Sequence, residues 1–119
     1  MAYNCTMKVT IKTTKAYEKS IEKFLTERER ERHDMENQIA IDPLNWPVIR
    51  GTGGIRKARF SRDAIGKRGG GRVCYLYLTV HETIYFLSAY SKNEKEDLSE
   101  QDKKKMRKTV EQILEAIGG

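Results

Sequence analysis

The sequence has few of the residues on which disulfide frameworks, metal sites and nucleophilic active sites depend. Two cysteines and two histidines occur among its 119 residues. Two cysteines are too few for a disulfide scaffold, which favours a reducing cytoplasmic setting. His33 and His81 have neither the spacing of zinc ligands nor a neighbouring nucleophile to activate. We therefore expect a protein that uses no metal ion or other cofactor.

Long apolar runs and nucleotide-binding motifs are also lacking. The longest apolar run, Val73–Leu78, covers six residues, whereas a membrane-spanning helix needs about 20. We thus expect no membrane association. Gly51–Gly54 is no dinucleotide-binding fingerprint, because it precedes a predicted strand instead of opening a helix. Gly66 and Lys67 lack the upstream glycine and the following Ser or Thr of a phosphate-binding P-loop.

What the chain does contain is sufficient for one folded domain over residues 1–119. Hydrophobic residues make up 38% of the sequence and charged residues 34%. A chain of this length can bury one modest hydrophobic core. The hydrophobic residues recur in periodic blocks, which disordered chains lack.

Periodicity predicts elements in the order β-α-α-β-β-β-α. The predicted strands are Met7–Thr13, Gly54–Ser61, Arg72–Val80 and Thr83–Ser91. One helix is capped by Thr14, a second runs from Thr26 toward Ala40, and a third is capped by Ser99 and ended by Gly118. The third strand is apolar on both faces, as central strands are. The predicted fold class is α+β, with a twisted, mostly antiparallel sheet, two N-terminal helices and one C-terminal helix.

Two of the predicted helices carry charged segments. Residues 27–32 alternate in charge, and this pattern favours a solvent-exposed helix face with ion pairs three residues apart. The last helix has one cationic face, formed by Lys103, Lys104, Lys105, Arg107 and Lys108. That face is either a solvated surface or a contact for nucleic acid.

The positive charge of the chain is concentrated between residues 50 and 72. This segment holds eight basic residues and one acid, Asp63, whereas the whole chain has a net charge of +6. The basic residues are Arg50, Arg56, Lys57, Arg59, Arg62, Lys67, Arg68 and Arg72. A local basic cluster of this kind is typical of a surface that binds phosphate groups.

Four cations are expected to meet on one patch of the sheet. Lys57 and Arg59 are two residues apart, so that both side chains project from the same face of a strand. Arg72 opens the partner strand, and Lys92 ends the strand that returns beside it. Such a patch binds phosphate through charge-assisted hydrogen bonds.

The same patch has a possible chemistry, which is the cleavage of RNA. The 2′-hydroxyl attacks the adjacent phosphorus, and cations stabilise the extra negative charge of the transition state. A lysine beside other cations can act as the general base. The residues by themselves favour a binding surface over an active site.

Several fragments of the sequence resemble the HigB branch of the RelE toxin family. They are Val48–Arg59, Gly66–Gly70 with Arg72 and Val73, Tyr90–Asn93 and Asp97–Ser99. The resemblance covers roughly residues 42–117 in the family's order and spacing. It implies a compact RelE-like fold and the toxin of a bacterial toxin–antitoxin pair. Such toxins are ribosome-dependent endoribonucleases that cut messenger RNA without a metal ion and leave a cyclic phosphate. The implied partner is a cognate antitoxin, usually a helix-turn-helix DNA-binding protein.

The resemblance also implies roles for individual residues. Arg72, directly after the glycine loop, matches the family's catalytic arginine, which stabilises the phosphate. Lys57 and Arg59 match paired basic residues, one of which takes the 2′-hydroxyl proton, and Lys92 matches a basic residue near the scissile phosphate. The glycines at 69–71 are expected to let the loop approach an RNA backbone. The residues expected to grip messenger or ribosomal RNA are Arg56, Lys67 and Arg68.

The sequence departs from the family at one functional position. Some members use a tyrosine shortly before the last helix, where this chain has Asp97 and Leu98. The general acid and the base-stacking group are therefore unassigned, with Tyr75 and Tyr90 as weak substitutes. Two other functions stay open, namely a non-catalytic protein of this fold that inhibits a protein target such as a topoisomerase, and a plain RNA-binding module. The glycine loop with its basic residues favours the toxin over the topoisomerase inhibitor.

Overall fold

The computed structural model describes residues 9–25, 29–60, 70–92 and 97–118 of the chain. Within these residues, strands and helices follow the predicted order. The strands are β1 (Thr10–Thr13), β2 (Arg56–Phe60), β3 (Gly71–Leu78) and β4 (Thr83–Ser91), and the helices are α1 (Lys15–Leu25), α2 (Glu29–Ile41) and α3 (Glu100–Ala116). The chain order β1-α1-α2-β2-β3-β4-α3 confirms the predicted α+β class.

The strands of the described residues form one sheet in the spatial order β1-β4-β3-β2. Strand β3 pairs with both β2 and β4 in antiparallel orientation, whereas β1 pairs with β4 in parallel. The sheet is therefore mostly antiparallel, as predicted. Strand β3 lies between two other strands, and residues 73–76 on both of its faces are buried. This confirms that its apolar sequence belongs to a central strand.

Helix α1 packs on the sheet through an aromatic contact. As predicted, its start is fixed by Thr14, whose hydroxyl accepts a hydrogen bond from the backbone N–H of Tyr17 at 3.1 Å. The ring of Tyr17 is fully buried and stacks on Phe86 of β4, with the ring centroids 5.3 Å apart. Burying an aromatic side chain such as Phe86 stabilises a fold by about 2 to 3 kcal/mol.

The charged part of α2 is less exposed than its sequence predicts. The Arg32 side chain is 17% exposed, and its guanidinium donates to Glu18 of α1 at 2.8 Å and to Glu36 at 2.9 Å. The buried carboxylate of Glu36 also accepts a hydrogen bond from the Tyr17 hydroxyl at 2.7 Å. The prediction of a solvent-exposed face is therefore wrong for Arg32, because its partners lie on another helix as well as on its own. Residues 27 and 28 lie outside the described residues.

A turn before β2 delays the start of that strand. Its hydrogen bonds centre on the buried Thr52 hydroxyl, which donates to the Ile49 carbonyl at 2.7 Å and accepts from the Ile55 N–H at 3.0 Å. The turn also needs positive φ angles, which glycine adopts most easily. The glycines concerned are Gly51, Gly53 and Gly54. Strand β2 consequently begins at Arg56 and not at residue 54 as predicted.

Gly71 belongs to β3 and not to the preceding loop. It pairs with Phe60 of β2, and the Phe60 ring lies so close that a methyl group at position 71 would overlap it. The expectation that Gly71 lets a loop approach RNA is therefore wrong, since its lack of a side chain makes room for an aromatic ring. Residues 61–69 lie outside the described residues.

Helix α3 begins where the sequence predicts. The Ser99 hydroxyl accepts a hydrogen bond from the Asp102 N–H at 3.0 Å, and the Asp102 carboxylate accepts one from the Ser99 N–H at 3.2 Å. This reciprocal pair is a capping box. Val110 is buried on the inner face of the helix, and Gly118, with a φ of 72°, follows its last turn. No helix in the described part of the chain is both long enough and apolar enough to cross a bilayer.

Candidate functional site

The cations of β2 and β3 share one face of the sheet. Arg59 lies directly opposite Arg72 in the antiparallel ladder, and Lys57 lies opposite Cys74. Residues that face each other in such a ladder project to the same side, and alternate residues of one strand do so too. Lys57, Arg59 and Arg72 therefore project from the face opposite to that of the buried Ala58.

Lys92 joins these three cations at the end of β4. It follows Ser91, which pairs with Gly71, and its backbone N–H donates to the Gly70 carbonyl at 3.5 Å. One groove with a volume of about 560 Å³ is lined by all four cations and by three residues of neighbouring loops. The lining residues are Trp46, Pro47, Lys57, Arg59, Arg72, Lys92 and Asp97. The four cations that were expected to meet therefore do so.

The groove carries an excess of positive charge. Its lining includes four cations and one carboxylate. Arg59 and Arg72 are directly opposed, and like charges in this arrangement destabilise strand pairing. The Asp97 carboxylate lies 3.9 Å from the Lys57 ammonium, but its side chain is 92% exposed. Water screens this attraction, so a bound anion is the ligand that would relieve the repulsion.

Arg56 is separate from the four cations. It is adjacent to Lys57 in β2 and therefore projects from the other face of the sheet. Its guanidinium donates to the backbone carbonyls of Leu44 (3.4 Å) and Trp46. The structure thus shows Arg56 holding the loop of residues 42–48, and it does not bring Arg56 to the groove. Lys67 and Arg68, the other predicted RNA contacts, lie outside the described residues.

Two groove residues, Trp46 and Asp97, had no functional role in the sequence-based assignment. Trp46 packs against the core and is half-buried, and it also lies beside Arg59, whose guanidinium carbon is 5.7 Å from the indole centroid. Trp46 and Asp97 are 51 positions apart in the chain. No local pattern shows that both approach Lys57 and Arg59.

The tyrosines considered as substitutes do not line the groove. Tyr75 is fully buried, and its hydroxyl donates to the Pro43 carbonyl at 2.7 Å. Burial raises the pKa of Tyr75 to about 12. Tyr90 pairs with Arg72 in the ladder and is 5% exposed, and burial is the main cause of the raised pKa of its phenol. Their burial keeps both rings from stacking on a ligand in solvent.

Among the described residues, the histidines and acidic side chains form no cluster suited to catalysis or metal binding. His33 lies exposed on α2, and His81 lies exposed in the turn between β3 and β4. Within the described ranges, no three His, Cys, Asp or Glu side chains are placed to hold a metal ion. The groove with its four cations is therefore the candidate functional site in this part of the chain.

Family membership follows from the sequence. A family model described as the RelE toxin of the RelE/RelB toxin–antitoxin system matches residues 18–117. This match covers most of the chain, which therefore belongs to the RelE toxin family. Members of the family are toxins of toxin–antitoxin systems. The resemblance noted in the sequence is confirmed.

Solved structures of RelE toxins share the fold. A chain of the intact Escherichia coli RelBE toxin–antitoxin complex has a TM-score of 0.52 at 15% identity, over 70% of this chain and 95% of that chain. A chain of the RelBE2 toxin–antitoxin complex from Mycobacterium tuberculosis has a TM-score of 0.50 at 19% identity, over 70% of this chain and 90% of that chain. Free E. coli RelE with two arginines changed to alanine has a TM-score of 0.50 at 12% identity, over 76% of this chain and 90% of that chain. At these identities the likeness concerns the fold alone, and it confirms the predicted RelE-like architecture.

Proposed function

We propose that this protein is the toxin of a toxin–antitoxin pair and that it cleaves messenger RNA on the ribosome. The observation that carries this proposal is the groove in which Lys57, Arg59, Arg72 and Lys92 meet. A phosphodiester is the anion that such a groove fits, and family membership favours RNA as its source. The reaction would proceed without a metal ion, as the resemblance to the family implies.

The proposed reaction is an internal transfer at phosphorus. The 2′-oxygen forms a bond to the adjacent phosphorus, the bond from phosphorus to the 5′-oxygen breaks, and a 2′,3′-cyclic phosphate results. The phosphorane-like transition state carries more negative charge than the substrate, and fixed cations stabilise that increment. Arg72 supplies a planar pair of donors for the non-bridging oxygens. Lys92 lies close enough to share this charge.

The proton of the 2′-hydroxyl has one acceptor candidate in the Lys57–Arg59 pair. Arginine stays protonated in proteins, so Lys57 is the member of the pair that can exchange a proton. Arg59 then holds the phosphate, and Lys57 takes the proton in those molecules in which its amine is neutral, because an ammonium group has no lone pair to accept one. The 5′-oxygen must receive a proton as it leaves, and solvent supplies it.

The proposed partners are translating ribosomes and a cognate antitoxin. Two of the similar solved structures are toxin–antitoxin complexes. By analogy we expect an antitoxin that neutralises this chain, in the form of a helix-turn-helix DNA-binding protein as the HigB resemblance implies. Messenger RNA and ribosomal RNA would then be its targets in the cytoplasm.

Expression without antitoxin tests the proposal. We expect the wild-type chain to arrest growth and to produce cuts in messenger RNA on translating ribosomes, because the groove is complete. Arg72→Ala should abolish the cuts and relieve the arrest. Lys19→Ala, which removes an exposed lysine of α1, is the matched control and should remain toxic. Full toxicity of Arg72→Ala would show that the catalytic assignment is wrong.

A further inference from the structure

Trp46 stands out as a large aromatic side chain among the cations of the groove. It is the one tryptophan of the chain. Its indole packs partly against the hydrophobic core, and it lines the groove together with the cations. A phosphate group can accept a hydrogen bond from an indole N–H, but it makes no use of the face of the ring. The aromatic wall therefore needs a different explanation.

The loop that carries Trp46 is held in place by contacts on its far side. The Tyr75 hydroxyl donates to the Pro43 carbonyl at 2.7 Å, and the Arg56 guanidinium donates to the Trp46 carbonyl. The Pro47 carbonyl accepts a hydrogen bond from the Lys57 N–H at 3.4 Å. These contacts fix the loop to β2 and β3 without a ligand. The indole is consequently preorganised, so that little ordering free energy is lost when a ligand contacts it.

Arg59 connects the aromatic wall to the phosphate-binding cations. Its guanidinium carbon is 5.7 Å from the Trp46 ring centroid, within the range of a cation–π contact. On its other side Arg59 faces Arg72, and facing residues in a ladder have Cβ atoms only about 5 Å apart. Trp46 and Arg72 are thus separated by one side chain, a distance that a single nucleotide can span between its base and its phosphate.

We infer that Trp46 and Arg59 form a stacking platform for the base of the nucleotide adjoining the scissile phosphate. Nucleobases of single strands stack on aromatic rings and on guanidinium planes. Stacking depends on ring area and not on hydrogen-bonding edges, so the platform favours purines over pyrimidines without reading a sequence. Because it concerns the substrate of the proposed ribonuclease, this assignment rests on the proposed function. It supplies the base-stacking group that the sequence left unassigned.

Short DNA oligomers test the platform with the wild-type protein. DNA lacks the 2′-hydroxyl and cannot be cut by the proposed reaction, and Trp46 fluorescence reports on the groove alone because the chain has no other tryptophan. The probes are a tetramer of deoxyadenosine, a tetramer of thymidine and an abasic tetramer with the same phosphates. We expect the adenine tetramer to quench Trp46 and to bind at least about tenfold more tightly than the abasic tetramer, a difference of about 1.4 kcal/mol. The thymidine tetramer should lie between them.

Equal affinity for the adenine and abasic tetramers would overturn the assignment. An indole that only packs against the hydrophobic core would make no contact with a base and would not affect the affinity. This comparison requires no variant and so does not depend on whether a substituted protein folds. Inorganic phosphate should leave the fluorescence unchanged. Quenching by phosphate as strong as that by the adenine tetramer would also contradict stacking.

Variants separate the base contact from the phosphate contact. Trp46→Leu keeps an apolar side chain without a π face, whereas Trp46→Phe keeps the face. With a labelled oligomer, Trp46→Leu should lose the preference for adenine over abasic DNA, and Trp46→Phe should retain most of it. Arg72→Gln should weaken the binding of both oligomers by the same factor. A full adenine preference in Trp46→Leu would refute the platform.

The two proposals can fail independently. If the wild type cuts messenger RNA and Trp46→Leu cuts it equally fast, the platform is wrong while the ribonuclease stands. We expect cleavage by Trp46→Leu to fall by about tenfold, in line with the lost stacking. If the wild type shows base-dependent quenching but cuts no RNA on ribosomes, the ribonuclease is wrong, and what stands is base stacking on Trp46 without a scissile phosphate beside it.

Discussion

Two residues of the groove lie in an arrangement that lowers stability. Arg59 and Arg72 face each other across the β2–β3 ladder, a position where opposite charges or apolar side chains would stabilise the sheet. The proposed function would account for this arrangement, because a phosphate bound between the two guanidinium groups would attract both of them. Arg56 shows the opposite case, because its guanidinium donates hydrogen bonds to two backbone carbonyls, those of Leu44 and Trp46, and so stabilises the loop that forms one side of the groove.

Arg72 and Arg56 should therefore respond oppositely to the same substitution. We expect Arg72→Gln to leave the free energy of unfolding unchanged or to raise it by up to about 1 kcal/mol, because a like-charge pair is removed. Cleavage should fall by roughly 100-fold or more, as when a preorganised donor to the transition state is lost. Chemical denaturation and a ribosome cleavage assay measure the two effects.

Arg56→Gln is the matched control in the neighbouring position. It removes donors from the Leu44 and Trp46 carbonyls, so the free energy of unfolding should fall by about 1 to 2 kcal/mol. If Arg72→Gln were the more destabilised of the two variants, Arg72 would have a structural role that the ladder geometry does not show.

At the scale of elements, charge joins the two N-terminal helices. Arg32 of α2 contacts Glu18 of α1, and the buried Glu36 receives both Arg32 and the Tyr17 hydroxyl. Removing one member of such a network leaves the others buried without their partner, which costs more than the pair contributes. The α1–α2 pair thus depends on contacts that a single helical pattern cannot reveal.

The ion pair between α1 and α2 should make stability depend on pH. The hydrogen bond from Arg32 is the main cause of a pKa of Glu18 below its ordinary value of 4.5. A carboxylate whose pKa is lower in the folded state than in the unfolded state stabilises the fold fully when the pH is above its unfolded-state pKa. That contribution to stability is lost as the pH falls through the folded-state pKa. We therefore expect wild type to be more stable than Glu18→Gln at pH 7 and this difference to shrink below about pH 4.5.

Denaturant unfolding at a series of pH values measures that difference. Glu115→Gln, which removes an exposed carboxylate at the end of α3, provides the reference for the loss of one acidic charge. A difference between wild type and Glu18→Gln that stayed constant from pH 7 to pH 3 would show that the Arg32 contact does not stabilise the fold.

At the scale of the whole molecule, two clusters of positive charge stand out among the residues that the structure describes. One is the groove, and the other is the outer face of α3, where Lys104, Lys105 and Lys108 are exposed. Arg107, on the same helix, donates to the Gly51 carbonyl at 2.8 Å and so connects α3 to the turn before β2. The α3 lysines lie on a separate element from the groove, so under the proposed function they could contact ribosomal RNA while the groove holds the messenger.

The α3 lysines should affect ribosome association and not the chemistry. Lys104 and Lys108 lie four residues apart and share one helix face. We expect the double change Lys104→Gln and Lys108→Gln to lower the slope of log affinity against log salt by about 1 to 2, since two phosphate contacts are lost. Co-sedimentation with ribosomes at several salt concentrations measures the slope. An unchanged slope would assign this face to solvent alone.

Much of the fold could be predicted because its signals are local. Thr14 and Ser99 cap helices through bonds to residues three positions away, and the apolar β3 needs only its own composition to be assigned to the middle of a sheet. The errors arose where a distant residue decides. Gly71 was predicted to be a loop residue, but it lies in β3 against the ring of Phe60. Arg32 was predicted to be solvent-exposed, but it contacts Glu18 of α1.

The sequence by itself determined the local concentration of positive charge, the order of elements and the family. It also brought Lys57 and Arg59 to one strand face, because strand periodicity is a property of the backbone. Only the tertiary structure decided which cations share a groove, since register and loop placement depend on pairing between distant segments. That pairing set Arg72 against Arg59, gave Arg56 its partner at the Trp46 carbonyl and brought Trp46 to the cations of the groove.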